Sequence, residues 1–244
     1  MFGRMFYASC VVGLICGLLL TGMQALGVVQ IIAQAETYES QAPGTTPANT
    51  HQHADGHSHS HGDAWAPEDG LERTMWTSIS NIATSIGFAL LIIATISWRN
   101  RSGIKQGLLW GAVGFVAFFG SPALGLTPEL PGAVAADLLS RQIWWLGTVT
   151  ASALGLGLII VARAPSAKVV GVVLLLVPHI IGAPHPQVAG GLAPQALAEQ
   201  FVYAATITNA LFWLSLGACC ALAYRHFLGG TDSGSMQDPD ATAS

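Results

Sequence analysis

Charge is what this sequence has least of. Of its 244 residues only 9% are charged, against about a quarter in an ordinary soluble domain. That scarcity excludes a chain whose whole surface faces water. The nine Lys and Arg are outnumbered by thirteen Asp and Glu, for a net charge of -4, and they form no basic stripe, so nucleic acid is not a partner. No GxxxxGK[ST] loop is present to cradle a nucleotide phosphate. The four cysteines, Cys10, Cys16, Cys219 and Cys220, form no CxxC pair. All lie in apolar runs, where the expected role is that of small buried hydrophobes; reception of a soft metal by Cys219 and Cys220 is the weaker alternative. No nucleophile–base pair or catalytic carboxylate lies in an apolar run, so the chain is not expected to be an enzyme.

What it has is long hydrophobic stretches. Hydrophobic residues make up 52% of the chain and the mean hydropathy is +0.53. About twenty helical residues cross the roughly 30 Å hydrocarbon core of a bilayer. Apolar runs at residues 6–32, 75–98, 107–124, 143–162, 169–183 and 201–224 therefore predict an all-α, polytopic helical membrane protein with about six transmembrane helices. The count falls to five if the first run is a cleaved signal, with Arg4 as its basic start and Ala33-Gln34-Ala35 as its cleavage site, or if the fifth run is re-entrant. That fifth run is the shortest and ends in Pro178 and Pro184. Gly13 and Gly17 form a GxxxG pair that admits a second helix. Gly103, Gly107 and Gly111 repeat every four residues in the third run. The predicted divisions are a first transmembrane helix (1–35), an outer His-rich, acidic loop (36–72) with residues 40–62 mobile, a five-helix membrane domain (73–226) and a disordered cytoplasmic tail (227–244).

Basic residues orient the chain. Arg4, Arg99, Arg101, Lys105, Arg163, Lys168 and Arg225 fall at the N-terminus, in alternate loops and at the start of the tail; only Arg73 and Arg141 fall in the other loops. By the positive-inside rule both termini are cytoplasmic, as in a multi-pass protein of a bacterial inner membrane. The loops so placed outside also hold Glu36, Glu39, Asp55, Asp63, Glu68, Asp69, Glu72, Glu129, Asp137 and Glu199. Such a face gathers cations. Arg73 with Glu72 or Asp69, and Arg141 with Asp137 at i,i+4, are expected as structural ion pairs.

Five of the eight histidines lie in residues 51–63, HQHADGHSHSHGD. His51, His53, His57, His59 and His61 can converge on one ion, with Asp55 or Asp63 adding oxygen. Imidazole suits divalent transition metals such as cobalt, nickel and zinc. Its reference pKa near 6.5 leaves it able to ligate at neutral pH and weakens binding in acid. A flexible N/O site follows the Irving–Williams order, so this loop concentrates metal without choosing it. Apart from Cys and Tyr, one ionisable side chain lies within a span: His179, after Pro178. An intramembrane ionisable group is a functional candidate by default, and the proline removes a backbone donor, exposing carbonyl oxygen. His185 follows at the same helix end. Glu36, Glu39 and Glu129, in a proline-stiffened loop, are candidates to pass an ion inward. Asn81, Thr84, Ser85 and Asn209 read as helix-packing groups.

These residues resemble one family. Gln24 and Ala35-Glu36-Thr37-Tyr38-Glu39, the His-rich loop, the stretch from Trp65-Ala66-Pro67-Glu68-Asp69-Gly70 through Leu71-Glu72-Arg73-Thr74, Pro122-Ala123-Leu124-Gly125-Leu126 with Pro128-Glu129-Leu130-Pro131-Gly132, Arg141-Gln142 with Trp144-Trp145, Pro178-His179-Ile180-Ile181-Gly182-Ala183-Pro184, and Asn209 with Phe212-Trp213 are similar to the cobalt transporter subunit family CbtA. The resemblance implies a small polytopic protein that brings in cobalt for cobalamin synthesis. It also implies a short one-span partner, CbtB, with its own histidine motif, and five spans rather than six. A homo-oligomer is equally compatible with the sequence. The expected function is membrane uptake of a divalent transition metal. The alternative is a membrane-bound receptor or chaperone that delivers cobalt, nickel or zinc to another transporter.

Overall fold

Apolar runs that long have one stable form in lipid, because every backbone polar group must be bonded within its own segment. The computed structural model follows that rule, and describes residues 2–41, 67–100, 103–188 and 190–229. The described residues are helical, without strands. In order, the helices are α1 (Phe2–Leu26), α2 (Val28–Gln41), α3 (Leu71–Arg99), α4 (Ile104–Phe115), a π-helical turn (Val116–Gly120), α5 (Ser121–Ala123), α6 (Leu138–Val161), α7 (Pro165–Ile181) and α8 (Gln195–Phe227). Helix α4, the π turn and α5 run on without a break as Ile104–Ala123, and among the described residues this segment, α1, α3, α6 and α8 are the five helices long and apolar enough to cross a membrane.

The first apolar run is interrupted. Gly27 makes a turn, its N–H bonding Gln24 O at 3.3 Å, and α2 begins at once. Helical order therefore continues to Gln41, past the boundary expected at residue 35, and Glu36 and Glu39 stand on a helix. At the end of α3, Asn100 takes a positive φ of 49°, the left-handed conformation that commonly closes a helix.

The chain divides into two compact units. The first comprises Met1–Leu20, Ile79–Val116 and Asn209–Ser244. Here Gly13 and Gly17 of α1 sit against Ile86 and Ile82 of α3, so close that a methyl group at either glycine meets α3 backbone. The GxxxG pair thus finds its partner in α3. Gly107 and Gly111 of α4 meet Gly217 and Trp213 of α8, and Gly114 faces the Trp213 ring. Gly103 takes no part in this seam; it precedes α4 in extended conformation, with open space around it. Cys220 donates to Ala89 O at 3.8 Å. Ser85 Oγ and Trp110 Nε1 are buried without a hydrogen-bond partner.

The second unit comprises Thr21–Ser78 and Ala117–Thr208. Its spine is the α6–α7 hairpin. The two helices run antiparallel: Gly155 packs on Gly171, while Trp144 near the start of α6 reaches Pro178 near the end of α7. Seventeen residues give α7 a length of about 26 Å, enough to return along α6 as far as Trp144. Gly182 then ends it with a φ of 86°. A small apolar cluster of Ala35, Leu130 and Leu197 joins α2, the loop after α5 and the start of α8. The loops at 124–137 and 182–194 clasp through Val134 N to Gly190 O (2.9 Å) and Leu192 N to Gly132 O (3.3 Å).

Candidate functional site

The second unit holds the described residues with the chemistry of interest. Pro178, inside α7, has no N–H to offer Leu174 O four residues back, so that carbonyl loses its intrahelical donor. The Pro178 carbonyl itself is fully engaged. It accepts the Gly182 N–H at 3.0 Å, which caps α7, and the Trp144 indole N–H at 3.2 Å. That second bond holds the indole edge-on to the next side chain, His179, with ring centroids 6.1 Å apart.

His179 is half-buried. Its Nε2 lies 3.1 Å from Ser121 Oγ, and Ser121 Oγ lies 2.8 Å from Ser152 Oγ. Both serines are buried, Ser152 completely. Ser121 owes its position to the π turn ahead of it, a wider winding that often marks functional positions, and to Pro122 at the start of α5. Three elements, α5, α6 and α7, thus converge on one polar thread in an apolar setting. The sequence pointed to His179 alone. The signal for the serines was a hydroxyl within an apolar span and one beside Pro122, which is weak because such hydroxyls usually bond their own helix.

The carboxylates are elsewhere in this unit. Glu36 on α2 is gripped at both oxygens by Arg73 of α3, at 2.8 and 3.4 Å. Arg73 also bonds Asp69 at 2.9 Å. Of the two partners expected for Arg73, Asp69 is therefore correct; Glu72 instead accepts the Glu68 N–H. The expected Arg141–Asp137 pair is replaced. Asp137 is the N-cap of α6 and accepts both the Ser140 N–H and the Ser140 hydroxyl at 2.9 Å; these bonds hold its carboxyl below the usual range. Arg141 turns to Glu129 at 3.0 Å, with both side chains about a third exposed. Glu129 lines two cavities. One, of about 600 Å³, is walled by Phe118, Phe119, Trp145 and Arg141. The other, of about 720 Å³, also holds Gln195, Glu199 and Tyr203. Gln195 donates to Glu199 at 2.9 Å.

The remaining candidates lie away from His179. Glu39 is half-buried on α2 and His185 is exposed in the loop after α7. His51, His53, His57, His59, His61, Asp55 and Asp63 lie outside the described residues. Among the described residues, no three His, Cys, Asp or Glu side chains come together as a metal site. Among the donors they offer an ion are the His179 imidazole, the carbonyl oxygen opposite Pro178, and the Glu36 and Glu129 carboxylates, each already paired with arginine.

For this helical membrane chain, a family model described as a probable cobalt transporter subunit (CbtA) matches residues 2–225. The chain belongs to the CbtA family. No curated protein and no solved structure matches it. For CbtA the match takes in both serines, His179 and both arginine–glutamate pairs, since all lie within residues 2–225. It fits an integral multi-pass membrane protein whose family is described as a probable cobalt transporter subunit.

Proposed function

We propose that this CbtA chain carries cobalt, as a divalent ion, inward across a bacterial cytoplasmic membrane for cobalamin synthesis. The reading rests chiefly on the family match along nearly the whole chain, supported by five helices of spanning length. Its topology has six crossings with both termini cytoplasmic. Support comes from the hairpin, in which α7 returns along α6 to Trp144, and from the distribution of Lys and Arg. His51, His53, His57, His59 and His61, with Asp55 and Asp63, collect the ion outside. Glu36, Glu39, Glu129 and His185 pass it inward, and His179 receives it at the proline-broken end of α7. A one-span, histidine-bearing subunit completes the assembly. An inside-negative potential contributes about 4.6 kcal/mol per 100 mV to entry of a divalent cation, which is sufficient for facilitated uptake without nucleotide hydrolysis by this chain.

A second reading has support of its own. With no three ligands together among the described residues, the chain is also suited to act as a membrane receptor that passes cobalt, nickel or zinc to another transporter. Purified protein in liposomes separates the two. Cobalt flux under an imposed potential is expected; its absence, with and without the one-span subunit, sinks the transport reading and leaves the receptor. Deletion of residues 51–61 is expected to raise the cobalt concentration for half-maximal uptake, with maximal uptake kept. His179→Ala is expected to lower maximal uptake. The same loss in both variants would show that collection and passage are not separate.

A further inference from the structure

We infer that Ser121 is a positioning residue that fixes which nitrogen of His179 meets the ion. The inference deepens the pathway reading of His179 and, for its uptake arm, rests on it. The argument is an account of donors. Ser152 Oγ has one hydrogen-bond partner, Ser121 Oγ at 2.8 Å, and the residue has no exposed surface. Ser121 Oγ has two, Ser152 and His179 Nε2 at 3.1 Å.

Two directions of the chain are open. If His179 donated from Nε2, Ser121 would accept, the two serines would share a single bond between them, and one serine proton would be left unpaired in a buried place. In the opposite direction Ser152 donates to Ser121 and Ser121 donates to Nε2. Every serine proton is then paired, and the one unpaired donor is Nδ1–H on a half-buried ring. An unpaired buried donor carries a desolvation penalty, so the second direction is preferred. The Trp144 indole, anchored on Pro178 O, stands edge-on to the imidazole and limits its rotation.

The consequence for ligation is direct. In this tautomer Nε2 has no proton and its lone pair is aimed at a neutral hydroxyl. A divalent cation takes the place of Ser121 on Nε2, and no proton has to leave the ring first. Without the Ser121 hydroxyl the preference is lost, and part of the population carries the proton on Nε2, where it blocks ligation; without Ser152 the buried Ser121 proton still has Nε2 as its acceptor, and the tautomer is kept.

The test is nitrogen NMR on protein labelled at histidine, with the His179 signals found by difference from His179→Ala. The expected wild-type spectrum has Nδ1 protonated and Nε2 an unprotonated acceptor; a protonated Nε2 overturns the inference. Ser121→Ala removes a single oxygen and is expected to bring in a protonated Nε2 population, whereas Ser152→Ala is expected to keep Nε2 unprotonated. Ser121→Ala should lower maximal cobalt uptake, the quantity His179 itself governs, by up to about fivefold, the factor one neutral hydrogen bond represents. A single unchanged tautomer in Ser121→Ala overturns the positioning role, and a tautomer shift with unchanged cobalt uptake overturns the role of Nε2 in ligation. Failure of the pathway reading shows separately, as undiminished uptake by His179→Ala.

Discussion

Two glycines on one helix offer a matched test of the α6–α7 hairpin that carries His179. A methyl group added at Gly155 would stand 2.6 Å from Gly171 O, with Leu175 Cγ at 3.2 Å and Leu174 Cβ at 3.4 Å. The closest ordinary carbon–oxygen approach is about 3.3 Å, so the helices must part by roughly 0.7 Å. The obstructing atom is backbone and cannot swing aside. Overpacking of this kind costs about 1–3 kcal/mol. Two residues on, Gly157 has nothing within 4 Å of its added methyl, and Gly→Ala in a helix with room for the side chain gains up to about 1 kcal/mol. The same substitution at these two positions should therefore differ by roughly 1–4 kcal/mol. Gly155→Ala should melt several degrees below wild type and Gly157→Ala at or above it, followed by thermal unfolding in detergent. Because α7 holds His179 against Ser121, Gly155→Ala should also lower cobalt uptake, and Gly157→Ala should not. Equal melting temperatures for the two variants would refute the close packing of α6 on α7.

Three further outcomes are expected. Arg141→Gln or Glu129→Gln should each destabilise by about 1 kcal/mol in detergent melts, between the values for exposed and buried pairs, and the double variant should cost less than the sum of the two. Ser85→Ala removes a buried hydroxyl without a partner and should leave the melting temperature unchanged or raise it, since an unpaired buried group carries a penalty of about 1–3 kcal/mol; a clear loss would mean that Ser85 has a partner in the working protein. Asp137, whose carboxyl is held low by its bonds from Ser140, contributes to the α6 cap above its unfolded pKa and loses that contribution as pH falls through the lower folded value. Acid melts of wild type should therefore converge on those of Asp137→Ala at the low end of the pH range.

The helices were legible because their signal is length and apolarity, which lipid enforces without regard to tertiary detail. The GxxxG pair at Gly13 and Gly17 was legible as a packing face for the same reason, although its partner was not. Boundaries were less so. Helix α2 runs to Gln41 although its last residues are polar, because Ala35 is buried with Leu130 and Leu197 and Glu36 is bonded to Arg73. Long-range pairing was the least legible. Arg141 lies four residues after Asp137, and local spacing favoured that pair. The N-cap had first claim on Asp137, and Glu129 reached Arg141 from a loop. His179 stood out as an ionisable group in an apolar run, whereas Ser121 and Ser152 gained meaning only when α5, α6 and α7 met.

The arginines bear on what an arriving cation encounters. Arg73 and Arg141 are the two basic residues that depart from the positive-inside pattern. They are also the two that hold the candidate carboxylates Glu36 and Glu129. In the proposed orientation, charges that run against the topology rule are thus accounted for by local pairing: each guanidinium sits where a cation would otherwise be drawn. Neither carboxylate then acts as an open ligand at rest, and an ion gains access to one by displacing a tethered positive charge. A divalent ion is the better competitor, because its attraction to a carboxylate at the same distance is twice that of a guanidinium. In the proposed pathway the arginine–glutamate pairs would favour a doubly charged ion, whereas the imidazole of His179 would bring the nitrogen donor that distinguishes a transition metal from magnesium or calcium. On that proposal, selection by charge and selection by donor type fall on different residues.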